Sequence, residues 1–229
     1  EAEMDVERVE LNGLTARIRI GDPKNPDVVV ERAEVDYAIG WPWSKQGLGL
    51  TPSRIRLIRP VVRAQFHDGK LSLGSLDPLI EKFTGQPPRP DSRSPLVLVE
   101  RARLNLDTDF GRAVVLGDAR VDNGKLMRLV ARMPQSDFRS GDLSASGMTG
   151  DIDLTTTGDR MALTFRAGAA RLASPQAQGD GARLTLTGDL PYPDLKNRRN
   201  DGPARLQLTL DADRLATGET TLRDADLDG

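Results

Sequence analysis

The chain contains no cysteine in 229 residues. That excludes a disulfide framework, a cysteine-ligated zinc site and a thiol nucleophile together. It has one histidine, His67, so histidine-rich metal spacing is excluded as well. Aromatic residues make up 4%, too few for the large inward-facing rings that fill a closed sandwich core. No segment approaches the ~20 consecutive apolar residues of a membrane-spanning helix, and no signal peptide opens the sequence. Acidic and basic residues nearly balance, 34 against 32, so overall charge implies no polyanionic or polycationic partner.

What the sequence does have is alternation. Leu14, Ala16, Ile18 and Ile20 interleave with Thr15, Arg17 and Arg19. Ala182, Leu184, Leu186 and Leu190 interleave with Arg183, Thr185, Thr187 and Asp189, and residues 204–213 repeat the pattern. A period of two means a pleated strand with one apolar and one wet face. Hairpin signals separate the runs at Asn12-Gly13, Asp68-Gly69 and Asn123-Gly124, pairs that supply the positive φ of a type I′ turn. Further strands are expected over 28–39, 53–66, 96–108, 143–148, 151–156, 161–172, 182–190 and 204–215. The expected fold is mainly β: about a dozen antiparallel strands, joined as a meander, in an elongated, curved sheet that forms an open groove. The whole of 1–229 is read as one such segment of a longer protein.

Two irregularities stand out. Ile55 and Leu57 are apolar at odd positions, whereas Val62, Ala64 and Phe66 continue at even positions, so an extra residue is expected near Ile58-Arg59-Pro60 as a β-bulge. The one helical signal is near 76–83, where Asp77 suits an N-cap, Pro78 the first turn, and Leu76, Leu79, Ile80 and Phe83 share a face. A Pro-rich loop over 86–95 and a polar loop over 192–203 connect strands of the same grammar on either side.

Chemistry-bearing constellations are sparse. His67 beside Asp68 is a turn pair with no nucleophile, and there is no Gly-rich phosphate loop or nucleophile elbow. Asp151 with Asp153, and Asp224 with Asp226 and Asp228, read as solvated strand faces. Arg54, Arg56, Arg59 and Arg63 read as a wet outer face, with anionic lipid headgroups as the competing partner; nucleic acid is not expected, because stacking aromatics are missing. Trp41 and Trp43 either seal one end of the apolar layer or contact a membrane interface. No catalytic residue, cofactor or metal is expected.

The segment Ala33-Glu34-Val35-Asp36-Tyr37, then Ile55 to Val62 with Leu57 and Pro60, then Gly69-Lys70-Leu71 before a Leu-rich stretch, resembles the start of AsmA-like proteins, the bacterial group that includes TamB and YdbH. The similarity is most specific over residues 1–83; the later Thr/Asp/Leu alternation is generic but looks closest to the YdbH type. The resemblance implies a periplasmic, non-enzymatic protein held in the inner membrane through a segment outside this sequence. Its repeating β-groove would carry phospholipid between inner and outer membranes, as in bridge-like lipid transfer proteins, alongside outer-membrane or other envelope proteins. On that reading the groove is lined by Leu14, Ala16, Ile18, Ile20, Ala33, Val35, Tyr37, Ile39, Ile55, Leu57, Val62, Ala64 and Phe66. It continues through Leu98, Leu104, Leu106, Val121, Leu129, Met133, Ile152, Leu154, Met161, Leu163, Phe165, Leu184, Leu186, Leu206, Leu208 and Leu210. Strand width fits independently: about 6–8 residues at ~3.3 Å each span about 20–26 Å, comparable to an extended acyl chain. The alternatives are a scaffold for outer-membrane assembly and a closed sandwich binding module.

Overall fold

The computed structural model describes residues 2–10, 13–39, 50–78, 94–192, 202–218 and 220–229. It is built from strands: β1 (Ala2–Glu10), β2 (Gly13–Asp22), β3 (Asn25–Ile39), β4 (Leu50–His67), β5 (Lys70–Ser72), β6 (Leu96–Thr108) and β7 (Gly111–Asp122). They are followed by β8 (Lys125–Ser140), β9 (Leu143–Thr157), β10 (Arg160–Ala173), β11 (Ala177–Pro191), β12 (Arg205–Thr217) and β13 (Thr220–Asp228). Neighbours follow chain order, with β5 set aside against β4. β1 and β13 end the series without pairing to each other, so the sheet is open and no barrel closes. The chain falls into two compact units, Glu1–Asn105 with Gly117–Leu126, and Leu106–Leu116 with Met127–Gly229.

Turn chemistry accounts for the hairpins. Asp68 and Gly69 both have positive φ (53° and 74°), as do Asn123 and Gly124 (49° and 74°), the pair of left-handed residues a type I′ turn needs. The region after β5 departs from the expected helix. Gly74–Leu76 is a single 3₁₀ turn, Asp77 and Pro78 are helical, and 79–83 lie outside the described residues. Asp77 is not the N-cap; it sits after the first turn and reaches back, accepting from the Leu73 N–H at 2.8 Å and from Ser72 Oγ at 2.6 Å. The turn is fixed to the sheet by Asp27, whose carboxylate accepts from the Ser75 N–H and Ser75 Oγ. These bonds from Ser75 hold the Asp27 carboxyl below its ordinary pKa.

In the first unit the apolar positions line up across strands. Ile18 pairs with Val30 and Val30 with Pro60; Ala16 pairs with Ala33 and Ala33 with Leu57. The irregularity expected near Pro60 is present, with Arg59 in the left-handed region (φ 49°) and Pro60 back in the ladder. It is shared with the neighbouring strand. The apolar series of β3 steps from Val30 to Ala33 as that of β4 steps from Leu57 to Pro60, so their register is unbroken there. The offset falls between β2 and β3, at Ala16/Ile18.

The second unit repeats this device on every strand from β9 to β13. Apolar positions jump by three from Ala145 to Met148, Ala169 to Leu172, Gly179 to Ala182, Ala212 to Leu215 and Leu222 to Ala225. The residues skipped by the pairing occupy one row: Gly147, Ala170, Gly181, Asp213 and Asp224. Gly147, Gly181 and Asp224 have positive φ, and the Gly147 N–H is taken by Asp137 Oδ1 at 2.8 Å. A carboxylate that accepts the displaced N–H satisfies a group the kink removes from the ladder. This explains why 143–148 and 151–156, expected as two strands, are one: the phase change is a kink at Gly147 inside β9.

Candidate functional site: an uncovered apolar face

The expected lining residues of the second unit form cross-strand rows. Ala131, Ile152, Phe165, Leu186 and Leu208 pair successively from β8 to β12. Leu129, Leu154, Leu163, Gly188 and Leu206 form the next row, and Met133, Gly150, Ala167, Leu184 and Leu210 the one beyond. Met161 pairs with Leu190 on the same face. The opposite face carries Val130, Asp153, Thr164, Thr187 and Gln207, then Arg132, Asp151, Arg166, Thr185 and Thr209. Leucine thus meets leucine and threonine meets threonine, because the register holds every strand in phase.

In the first unit Leu14, Ala16, Ile18 and Ile20 meet Val35, Ala33, Val30 and Val28, which meet Ile55, Leu57, Pro60 and Val62. Ala64 is buried and Phe66 pairs with Leu71. Tyr37 closes the hairpin end, its hydroxyl donating to the Glu10 carbonyl at 2.8 Å. Leu104 and Leu106 alternate with Arg103 and Asn105, whose side chains bond to each other at 2.9 Å. Val121 alternates with Arg120 and Asp122 in β7.

Leu98 is a correction. It lies two residues before Glu100 in an unbroken stretch of β6, and so shares the polar face on which Glu100 binds Arg56. Arg101 is left-handed (φ 53°), and its N–H is held by Asp118 Oδ1. The apolar series therefore steps from Val99 to Ala102, the same three-residue jump seen elsewhere. Trp41 and Trp43 lie outside the described residues, as does the side chain of Ile39.

Among the described residues no second layer covers the apolar rows of the second unit; in the first, Leu76 of the 3₁₀ turn packs against the cluster of Val28, Val30 and Ala33. The buried hydrophobics among the described residues are Ala16, Val28, Val30, Ala33, Ala64, Ala113, Ala169 and Ala212, six of them alanine. Small side chains are hidden by the sheet itself, whereas long ones stand clear of it. Leu208 is 37% exposed, Leu206 58% and Leu227 62%. Ordinary folded domains do not leave contiguous aliphatic rows in water.

Beyond the kink row the face deepens into a cavity of about 610 Å³ within the second unit. Its floor is a further register row, Phe138, Ala145, Leu172, Gly179 and Leu215, with Phe110 brought in from the β6–β7 turn. The Arg139 N–H donates to the Phe110 carbonyl at 2.7 Å and fixes that turn. Gly179 lets Leu215 lie flat, since a Cβ there would come within 3.2 Å of its methyl. Sequence reading missed this row. Only one or two apolar residues of each strand lie on that side of the kink, too few to declare a new phase.

The polar face is an arginine–carboxylate lattice. Arg54 binds Asp36 (2.6 Å), Arg59 binds Glu31 (3.0 Å) and Arg56 binds both Glu100 and Glu34. Arg160–Asp189, Arg171–Asp180 and Arg183–Asp213 continue the pattern. The basic set singled out in the sequence is therefore largely occupied by cross-strand carboxylates. Among the described residues no group of three or more His, Asp or Glu side chains is placed to hold a metal ion, and no helix is long and apolar enough to cross a membrane. His67 pairs with Lys70 in the β4–β5 hairpin. Comparison with protein-family models, with curated proteins and with solved structures finds no match for this chain.

Proposed function

We propose that the chain is a lipid-handling β segment whose apolar face shields phospholipid acyl chains in transit between the inner and outer membranes. One observation carries the reading: continuous rows of aliphatic side chains in the second unit, aligned strand to strand, stand uncovered among the described residues. Acyl chains would supply the missing layer at about 0.8 kcal/mol per buried CH₂. Leu, Val, Ile and Ala offer no directional contacts, so a chain seated on them slides without breaking a specific bond. The arginine–carboxylate lattice keeps the opposite face in water. No catalytic step enters this account. The resemblance to AsmA-like proteins points the same way and supports a periplasmic location with an inner-membrane anchor outside this sequence.

Native mass spectrometry of the protein purified from bacterial membranes tests the proposal. Adducts with phospholipid masses are expected, released on mild activation. A bare protein mass under the gentlest conditions would argue against it and favour the assembly-scaffold alternative.

A further inference from the structure

The cavity beyond the kink row has a direction. Its floor crosses five strands, β8 to β12, through Phe138, Ala145, Leu172, Gly179 and Leu215. Four interstrand steps of ~4.8 Å make it about 19 Å long, close to an extended acyl chain. Its volume of about 610 Å³ lies within the range of small-molecule sites. Bulk alternates along the floor, with Ala145 and Gly179 as dips between Phe138, Leu172 and Leu215.

The two ends of the floor differ. Phe110 and Phe138 line the β8 end, two of the five phenylalanines in the sequence. The Phe110 turn is pinned there through its carbonyl, which accepts from the Arg139 N–H. Gly111 lets the turn approach β8 closely, since a Cβ on it would come within 3.0 Å of the Asp137 carbonyl oxygen. At the β12 end the row runs on through Leu222, the partner of Leu215, with no ring to stop it. Aromatic bulk therefore closes one end only.

The walls decide what kind of molecule fits. Each floor strand is paired on both sides, so its main-chain groups are taken up in the ladders. A peptide laid across the floor would bury its own N–H and C=O groups without partners. Arg139, the one charged residue among the described lining, alternates with Phe138 and Ser140, so its guanidinium lies on the polar face. The Ser174 hydroxyl is engaged within its own turn, with the Ala177 N–H at 3.0 Å and the Ala177 carbonyl at 3.2 Å. An unbranched hydrocarbon tail asks for none of these groups.

We propose that the cavity seats a single acyl tail, lying across the strands with its methyl end against Phe110 and Phe138, and that these rings set the tail length the protein retains. The inference rests on the lipid reading. It adds a fixed seat to it, where the rows of Leu186 and Leu208 offer only a surface to slide on.

The test uses a phosphatidylethanolamine with a photoactivatable diazirine at the methyl end of one hexadecanoyl tail, taken up by the protein from vesicles and irradiated. Crosslinks are expected at Phe110 or Phe138. A second measurement offers vesicles holding equal amounts of the lipid with dodecanoyl, tetradecanoyl, hexadecanoyl and octadecanoyl tails, and weighs the retained species by native mass spectrometry. Phe110→Ala, at a partly exposed turn position, should move the preferred tail at least one step up this series. Ala145→Phe, which fills a dip in the floor, should move it at least one step down. Three results would each overturn the seat: crosslinks confined to Leu186 and Leu208, a length profile unchanged in folded variants, or a protein dimer that Phe110→Ala abolishes, which would make a second copy the occupant. The first two leave the lipid reading standing, whereas absence of any lipid uptake by wild type overturns both.

Discussion

Arg56 grips Glu100 with two parallel hydrogen bonds, Nε to Oε1 at 2.7 Å and Nη2 to Oε2 at 2.8 Å. The same guanidinium reaches Glu34 at 3.3 Å, so one arginine ties β3, β4 and β6 together on the polar face. Its hydrogen bond holds the Glu100 carboxyl below the usual glutamate range. A depressed pKa contributes stability that is present above the unfolded value, about 4.3, and is lost as pH falls through the folded one. Glu100→Gln should lower the melting temperature modestly at neutral pH, with the difference from wild type vanishing below the folded pKa. Thermal melts across pH 2–7 check this.

The Asp211–Asp226 pair has the opposite sign. Because the folded pKa of Asp226 is raised, its contribution is favourable below the unfolded value, about 3.9, and is lost as pH rises through the folded value. Asp226→Asn is expected to stabilise the protein slightly at neutral pH and to make no difference in acid. Stabilisation that persists unchanged below pH 3 would contradict this assignment.

The kink row predicts an asymmetry among glycines. Gly141 and Gly181 share a left-handed φ of 57° and 64°, but nothing stands within 4 Å of a Cβ at Gly141, whereas one at Gly181 would collide with the Asp213 carboxylate. Gly141→Ala should cost about 1 kcal/mol for the backbone conformation alone. Gly181→Ala should cost about 3 kcal/mol, because Asp213 must leave its bond with Arg183. Equal losses in denaturant unfolding would show that the row does not constrain the sheet.

Much of this fold is legible in the sequence. Alternation at 182–190 and 204–213 makes both faces readable, and Asp68-Gly69 and Asn123-Gly124 place two hairpins to the residue. The change of phase at Arg59 is visible because long apolar series flank it on both sides. Those at Gly147 and Gly181 are hidden because only a short stretch of each strand precedes them, and the cavity floor of Phe138, Leu172 and Leu215 is hidden with them. Leu98 was misplaced for a related reason. Val97 and Val99 are as apolar as Leu96 and Leu98, so only the partner of Glu100 decides which set faces which way.

Face assignment is open to chemical test because no native cysteine interferes. Single cysteines at Phe165, Leu186 and Leu208 lie on the apolar rows, and those at Thr164, Thr185 and Gln207 on the polar ones. In protein carrying phospholipid, a water-soluble maleimide should label the second set faster. Delipidation should speed labelling of the first set only.

The central claim is that acyl chains lie along the apolar rows, and Leu186→Arg addresses it most directly. Leu186 is flanked by Phe165 and Leu208, far from the kink row, on a face that no other described element covers. In a dry closed core an unpaired charge would cost several kcal/mol and unfold the unit. On an open face the guanidinium reaches water when no lipid is present. The decisive measurement is extraction of a fluorescent phospholipid from vesicles by wild type and Leu186→Arg, each checked by thermal melting. The account predicts near-wild-type melting with extraction largely lost. Undiminished extraction by a folded Leu186→Arg protein would contradict it.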